Sequence, residues 1–92
     1  MGGKVWSEKE ERYFWRVAMS VGPKRAGVDR AKPERSWNDL AADMQRAMGE
    51  DSRREYSGVL MFEHYFQNIE TRRRSPNAAQ YVREYEIKAG TF

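Results

Sequence analysis

The sequence contains no cysteine and a single histidine, which removes most of the site chemistry open to a small domain. Without cysteine there is no disulfide, no zinc–thiolate centre and no thiol nucleophile. His64 alone cannot build a histidine-rich metal cluster, and the longest apolar run, Val59–Phe62, is too short to span a membrane. The carboxylates of Glu8, Glu10 and Glu11 are interpreted as a helix N-terminus, where negative charge is favourable, and not as catalytic acids. We therefore expect no enzymatic activity, metal, cofactor, membrane contact or small-molecule substrate.

The N-terminus also lacks the pattern of a signal peptide, because the chain runs directly into charged residues. We interpret residues 1–3 as a cloning remnant, residues 4–88 as one helical domain and residues 89–92 as a tail. A chain of 92 residues buries only about 60–65% of the surface that its unfolded form exposes, so a second core is excluded. Aromatic residues make up 13% of the sequence, and their large side chains can support one compact core.

The net charge of +3 is distributed unevenly along the chain. Residues 1–35 hold nine Lys and Arg against five Asp and Glu. Residues 36–56 hold three against five, and residues 57–92 hold five against four. Positive charge thus collects near the beginning of the chain, and the middle is acidic. This mildly basic balance permits a nucleic-acid partner without requiring one.

Two serines with an acidic residue three positions later mark the starts of the first two predicted helices. Ser7 with Glu10, and Ser36 with Asp39, have the spacing of a capping box. The first predicted helix ends at about residue 20, ahead of a Gly-Pro pair that disfavours helix. The second ends at Gly49, because glycine is the commonest residue just beyond a helix C-terminus.

The third predicted helix covers about residues 57–73. Its start is open, since Ser52 also has capping-box spacing and can begin either a short helical turn or the helix itself; Ser57 is the preferred start. Helical periodicity predicts a buried face made of Met61, Phe62, Tyr65, Phe66 and Ile69. The same periodicity predicts an exposed face made of Leu60, Glu63, His64, Gln67, Asn68 and Thr71.

A fourth helix is predicted from Ser75 to about Ile87. Ser75 is expected to be its N-cap and Pro76 its first helical residue, where the missing N–H of proline costs nothing. The first helix is apolar around most of its circumference and needs two packing neighbours, so the fourth helix is its expected cover. No segment alternates as a strand does, and the predicted fold class is therefore all-α.

Three short segments resemble the three helices of a Myb/SANT repeat. Val5–Glu11 contains a tryptophan, then a serine and an acidic pair, as the first helix of such repeats does. Ser36–Ala41 joins a tryptophan to a Leu-Ala pair, which is typical of the second helix. Glu63–Ile69 resembles the third helix, with Tyr65 or Phe66 in the place of the third tryptophan.

The resemblance spans about residues 6–74 and implies a three-helix bundle, to which the fourth helix is added. It implies that the second and third helices form a helix-turn-helix-like unit, and that the core aromatics are Trp6, Trp37 and either Tyr65 or Phe66. Both connections between these aromatics are longer than in a usual repeat. We therefore expect a branch of the Myb-like group with expanded loops, of the trihelix or fungal Myb-like type.

The resemblance implies a DNA-binding domain of a nuclear transcription or chromatin regulator, with the third helix in the major groove of double-stranded DNA. The candidate base contacts on that helix are His64, Gln67, Asn68 and Glu63. The candidate phosphate contacts are Arg72, Arg73 and Arg74 after the helix, and Lys24, Arg25, Arg30 and Lys32 in the long connection between the first two helices. Each phosphate that they neutralise would strengthen the dependence of binding on salt.

Glu63 supports a second hypothesis, a SANT-like module that binds a histone tail or a partner protein. A carboxylate on the exposed face repels phosphate, and no Lys or Arg appears on that helix before Arg72. Such a module would use the face that holds Leu60, Glu63 and His64, or apolar surface left over on the first helix. Under both hypotheses the expected localisation is nuclear.

Overall fold

The computed structural model describes residues 5–24 and 33–90, and helices make up most of that part of the chain. The four α-helices are α1 (Glu8–Arg16), α2 (Trp37–Met48), α3 (Gly58–Tyr65) and α4 (Ala79–Ala89). Three further helical turns follow the first three helices: the 3₁₀ turns Ala18–Ser20 and Gly49–Asp51, and the π-helical turn Phe66–Glu70. No strand occurs within the described residues, and the all-α prediction is confirmed.

The first two helices begin at the predicted capping boxes, and the third begins at Ser57, the preferred of its two predicted starts. The Ser7 hydroxyl accepts the Glu10 N–H at 3.1 Å, while the Glu10 carboxylate accepts the Ser7 N–H at 2.7 Å. Ser36 and Asp39 form the same reciprocal capping box. The Ser57 hydroxyl accepts a first-turn backbone N–H of α3 at 3.1 Å. Each cap satisfies a backbone donor that the helix itself leaves unpaired.

The ends of the first and third helices depart from the prediction. The backbone tightens after Arg16 into a 3₁₀ turn, whereas the sequence predicts one continuous helix to about residue 20. The third helix keeps α geometry only to Tyr65 and then widens into the π-helical turn, which ends before the predicted residue 73. Gly49 ends α2 as predicted, and its φ of 52° lies in the left-handed region that glycine adopts without strain.

The fourth helix begins later than predicted, at Ala79. Pro76 lies in a turn, closed by a hydrogen bond from the Ala78 N–H to the Ser75 carbonyl at 3.0 Å. Ser75 therefore does not cap α4. Its N–H and hydroxyl bond the side chain of Asn68 instead, at 2.8 and 3.2 Å.

The core is aromatic and rich in methionine, with α2 packed against α3 and α4 packed across α1 as predicted. Its fully buried large apolar side chains are Phe14, Met19, Leu40, Met44, Met61 and Val82. Trp6 and Tyr65 are buried as predicted, and Trp37 packs half-buried against the same core. Phe66 is 44% exposed, so its alternative assignment as a core aromatic is wrong. None of the helices in residues 5–24 and 33–90 is long and apolar enough to cross a membrane.

Candidate functional site

The exposed side of α3 and its π-helical turn carries aromatic side chains. Val59, Phe62 and Phe66 are 68%, 39% and 44% exposed, which contradicts the prediction that the two phenylalanines are buried. The ring centroids of Phe62 and Phe66 lie 5.7 Å apart, and the Phe62 ring also meets the ring of Trp37 edge-on, with centroids 5.6 Å apart. We name this surface the aromatic face, made of Val59, Phe62, Glu63, Phe66 and Gln67.

A shallow depression of about 490 Å³ lies beside the two phenylalanines of the aromatic face. Its remaining lining residues are Glu63, Gln67, Thr71 and Arg73. The Gln67 side-chain amide donates to the Arg73 carbonyl at 3.3 Å, which ties the turn after the helix to the depression. A ligand in this place meets two aromatic rings, one exposed carboxylate and one exposed guanidinium.

His64 lies on the buried side of α3, so the prediction that it contacts DNA bases is wrong. Its side chain is 5% exposed, and its Nε2 atom lies 2.7 Å from the Oε1 atom of Glu11 on α1. Its ring stacks on the indole of Trp6, with centroids 3.6 Å apart and planes 6° from parallel. These contacts are inside the core, where a base edge cannot reach the imidazole.

Asn68 is fully buried, and its predicted role as a base contact is also wrong. Its side-chain amide donates to the His64 carbonyl at 2.9 Å and to the Ser75 hydroxyl at 3.2 Å. Its side-chain oxygen accepts the Ser75 N–H at 2.8 Å. Of the four candidate base contacts, only Glu63 and Gln67 remain exposed.

The three arginines that follow the π-helical turn lie in different surroundings. The Arg74 guanidinium reaches both carboxylate oxygens of Glu86 on α4 at 3.1 Å and also donates to the Asn68 carbonyl. Arg74 therefore joins the turn to α4. Arg72, with a φ of 61°, and Arg73 are exposed and form no ion pair within residues 5–24 and 33–90. These two side chains are the accessible members of the predicted phosphate cluster.

Of the four predicted phosphate contacts in the long connection, only Lys24 lies within the described residues. Lys24 is exposed, and its carbonyl accepts the hydroxyl of Tyr85 on α4. Burial raises the pKa of Tyr85, which keeps this phenol protonated as a donor. The other predicted phosphate contacts of this connection, Arg25, Arg30 and Lys32, lie outside the described residues.

Glu10, expected at a helix N-terminus, is fully buried within a hydrogen-bonded cluster. Its carboxylate accepts the Tyr56 hydroxyl, the Arg54 Nε–H at 3.1 Å and the Ser7 N–H. Burial acts to raise the pKa of Glu10, but these hydrogen bonds outweigh it and the pKa lies below its ordinary value. Burial and the Glu10 contact raise the pKa of Tyr56 to about 12. The cluster joins α1 to the segment before α3.

Glu11 is also fully buried, and the sequence pattern predicted the burial of neither Glu10 nor Glu11. Its Oε1 atom accepts the indole N–H of Trp15 at 3.0 Å and faces His64. Its Oε2 atom has no hydrogen-bond partner within the described part of the chain. A signal was present in the sequence, since Glu11 and Trp15 are four residues apart on a helix whose apolar positions cover most of its circumference.

Neither acid cluster offers the geometry of a reaction or metal centre. No group of three or more acidic or histidine side chains that could hold a metal ion occurs among the described residues. Both carboxylates are enclosed by core side chains, so they organise packing and do not face a ligand.

Comparisons with models of protein families, with curated proteins and with solved structures find no match to this chain. A functional argument therefore depends on the chemistry of its surfaces. The aromatic face is the surface where the structure departs most from the sequence-based expectation. Its two phenylalanines lie on the solvent-exposed side of α3 and its π-helical turn.

Proposed function

We propose that this chain is a SANT-like protein-interaction module that binds an amphipathic helix of a partner protein on its aromatic face. The exposure of Phe62 and Phe66 carries the proposal. Two neighbouring aromatic rings on one helix face are unfavourable in water and gain free energy when a partner covers them. Aromatic side chains are also enriched at the centres of protein interfaces, where a few anchors supply most of the binding free energy.

The chemistry of the depression specifies the partner further. Its aromatic floor fits apolar side chains three or four residues apart on a helix. Glu63 favours a cation on the partner helix, and Arg73 favours an anion on that partner toward the other edge of the depression. The partner is thus a helix with one apolar stripe and charges of both signs beside it.

The aromatic face is poorly suited to reading bases. Base edges in the major groove are recognised by hydrogen-bonding side chains, mainly Arg, Lys, Asn and Gln. Phe62 and Phe66 offer no hydrogen bond, and the exposed Glu63 carboxylate repels phosphate. Besides Glu63, Gln67 is the one candidate base contact that stays exposed, and its amide already bonds the Arg73 carbonyl.

A Myb/SANT-like arrangement of the first three helices is part of this proposal. The buried Trp6 and Tyr65 and the half-buried Trp37 support it, because the resemblance assigns core positions to these three aromatics. The capping boxes at Ser7 and Ser36 also stand where the resembling segments begin. The resemblance places such a module in a nuclear transcription or chromatin regulator.

Binding of double-stranded DNA is a second proposal, and Arg72 and Arg73 favour it. Both guanidinium groups are exposed and without an ion pair in the described residues, next to the C-terminal end of the π-helical turn. Two such groups can neutralise phosphates without reading sequence. This contact would make binding strongly dependent on salt and nearly independent of base sequence.

The experiment is a selection from a displayed library of helical peptides, performed on the whole chain. Peptides are selected on the wild type alone, and their binding to Phe66→Ser is measured afterwards. Ile87→Ser is the matched control, because Ile87 is an apolar residue on α4 that is 53% exposed and outside the aromatic face. Fluorescence anisotropy then measures each peptide, a histone-tail peptide and a DNA duplex at two salt concentrations.

The proposal expects peptides with apolar residues at helical spacing and a cation beside them. Loss of the Phe66 ring should weaken their binding by about 2 kcal/mol, while Ile87→Ser leaves it unchanged. Peptides that bind Phe66→Ser and the wild type equally would contradict the proposal. Salt-sensitive DNA binding that is lost in Arg72→Ala and Arg73→Ala, with no selected peptide, would favour the second proposal instead. If the histone-tail peptide is the only ligand that binds, the partner is a basic extended segment and not a helix.

A further inference from the structure

A second surface, between α1 and α2, combines an apolar floor with a row of cations. We infer that this groove binds an acidic amphipathic segment of a partner protein, independently of the aromatic face. The groove has a volume of about 410 Å³. We name it the basic groove; its lining residues are Lys9, Arg12, Tyr13, Arg16, Val17, Ala47 and Met48.

The floor of the basic groove is apolar and open to solvent. Val17, which directly follows α1, is 47% exposed, and the neighbouring Tyr13 is half-buried. Met48 closes the floor from α2 and is itself 3% exposed. The volume is within the range of pockets that take several apolar groups of a ligand. Apolar side chains of a docked segment would cover Val17 and the exposed edge of Tyr13.

The cations of the basic groove lie on one strip of α1. Lys9, Arg12 and Arg16 are spaced by three and four residues, which places them on the same side of the helix. Lys9 pairs with Asp51 at 2.5 Å and Arg16 with Glu84 at 2.8 Å, and all four side chains are at least 40% exposed. The exposed Lys9–Asp51 pair contributes little to stability, so an incoming carboxylate can replace it at small cost. Arg16 is held more firmly, by two hydrogen bonds to Glu84 and by the ring of Tyr81.

Arg12 is the central cation and the one best placed for a ligand. It is exposed and forms no ion pair among residues 5–24 and 33–90. A carboxylate beside Arg12 therefore gains a charge-assisted hydrogen bond without displacing an internal partner. Further carboxylates at helical spacing on the ligand would reach Lys9 and Arg16 by displacing Asp51 and Glu84.

Charge and shape together favour an acidic protein segment over other occupants. A nucleic-acid backbone would satisfy the cations but has no apolar side chain to cover Val17 and the exposed edge of Tyr13. A second copy of the chain would have to present its aromatic face, which holds the single carboxylate of Glu63 against three cations. A helical segment with acidic residues on one face and apolar residues on the other matches both the row of cations and the apolar floor of the basic groove.

The test titrates the whole chain into a labelled synthetic helical peptide with leucines on one face and glutamates on the other. A scrambled peptide of the same composition controls for net charge. Arg12→Glu probes the row of cations in the basic groove, and Val17→Gln probes its apolar floor. Arg83→Glu is the matched control, because Arg83 is exposed on α4, outside both surfaces, and has no ion pair within the described residues. Circular dichroism checks that each variant keeps its helix content.

We expect Arg12→Glu to weaken peptide binding about tenfold or more, since it replaces a charge-assisted hydrogen bond by repulsion. Val17→Gln should weaken it severalfold, and Arg83→Glu and the scrambled peptide should show no specific effect. Phe66→Ser should leave this binding unchanged, so failure of the aromatic-face proposal and failure of this inference give different results.

Three outcomes would overturn the inference. Equal losses for Arg12→Glu and Arg83→Glu would mean that only net charge is sensed. Competition by duplex DNA that depends on Arg12 but not on Val17 would make the groove a phosphate-binding surface. Self-association of the wild type that Arg12→Glu abolishes in sedimentation would assign the groove to a second copy of the chain.

Discussion

The imidazole of His64 lies flat against the indole of Trp6, with ring centroids 3.6 Å apart and planes 6° from parallel. This contact holds the segment before α1 against α3, while Nε2 of the same imidazole reaches Glu11 on α1. The stacking explains why the only histidine of the chain is a core residue. It also fixes the rotation of α3, and with it the side chains that α3 presents to solvent.

Replacing His64 with alanine should destabilise the fold strongly. The change removes the stacked ring and leaves the buried Glu11 carboxylate with the Trp15 indole N–H as its remaining donor, which together should cost about 3 kcal/mol or more. Urea unfolding monitored by circular dichroism measures the loss. Gln67→Ala, on the exposed side of the same helical segment, is the control and should change stability by less than about 0.5 kcal/mol. A loss for His64→Ala no larger than that of the control would contradict the role assigned to the stack.

The Glu10–Tyr56 contact predicts a dependence of stability on acid pH. Because the folded-state pKa of Glu10 lies below its ordinary value of 4.5, the unfolded chain binds more protons in acid. The stabilisation is therefore present above pH 4.5 and is lost as the pH falls through the lowered folded-state pKa. Tyr56→Phe removes one of the hydrogen bonds that lower this pKa, and should cost about 1–3 kcal/mol at neutral pH and less in acid.

Urea unfolding of the wild type and Tyr56→Phe at a series of pH values tests this prediction. The two stability curves should converge as the pH falls below 4.5. Tyr13→Phe, which leaves the Glu10 cluster intact, should run parallel to the wild type in acid. Parallel curves for Tyr56→Phe as well would mean that the hydroxyl does not stabilise the ionised carboxylate.

A methyl group at Gly58 should disturb the packing of α3 against α2. A Cβ atom at this position would overlap the side-chain oxygen of Asn38 and lie 3.2 Å from the Asn38 backbone nitrogen. We expect Gly58→Ala to cost about 1–3 kcal/mol, although alanine is the better helix former. In an Asn38→Ala background the cost should be smaller, because the nearest atoms are gone. A double-mutant cycle by thermal unfolding measures this coupling, and strictly additive effects would rule out the overlap.

The neighbouring residues Arg73 and Arg74 should differ in how much their replacement by alanine destabilises the chain. Arg74→Ala should destabilise the chain by about 1 kcal/mol, because its guanidinium joins the Asn68 carbonyl to Glu86. Arg73→Ala should leave stability unchanged within about 0.5 kcal/mol, since its side chain is exposed. Urea unfolding of both variants measures the difference, and equal effects on stability would contradict the separate surroundings of these two arginines.

Much of the architecture was predictable because its signals are local. A capping box needs only a serine and an acidic residue three positions later, so Ser7 and Ser36 mark helix starts without reference to the rest of the fold. The fourth helix was displaced because Ser75 has a competing partner. Its N–H and hydroxyl are occupied by Asn68, seven residues earlier, and no capping rule contains that information.

The candidate site was less predictable, because α3 has apolar residues on more than one side. Periodicity predicts that Phe62 and Phe66 are buried, yet both lie exposed while His64 and Asn68 are inside. Burial of polar side chains is favourable only when distant groups satisfy them, and here those groups are Glu11 and Ser75. Their approach depends on how the helices pack, so it could not be read from the helix alone.

The sequence by itself determined that this chain is all-α, that its first two helices begin at capping serines and that aromatic residues supply much of the core. Those features follow from composition, backbone hydrogen bonding and helical periodicity, which act within a few residues. Tertiary structure alone decided which side of α3 faces solvent. The Glu11–His64 and Asn68–Ser75 contacts accompany this rotation, because they supply the hydrogen bonds without which burial of those polar groups would be costly. The aromatic face is the consequence.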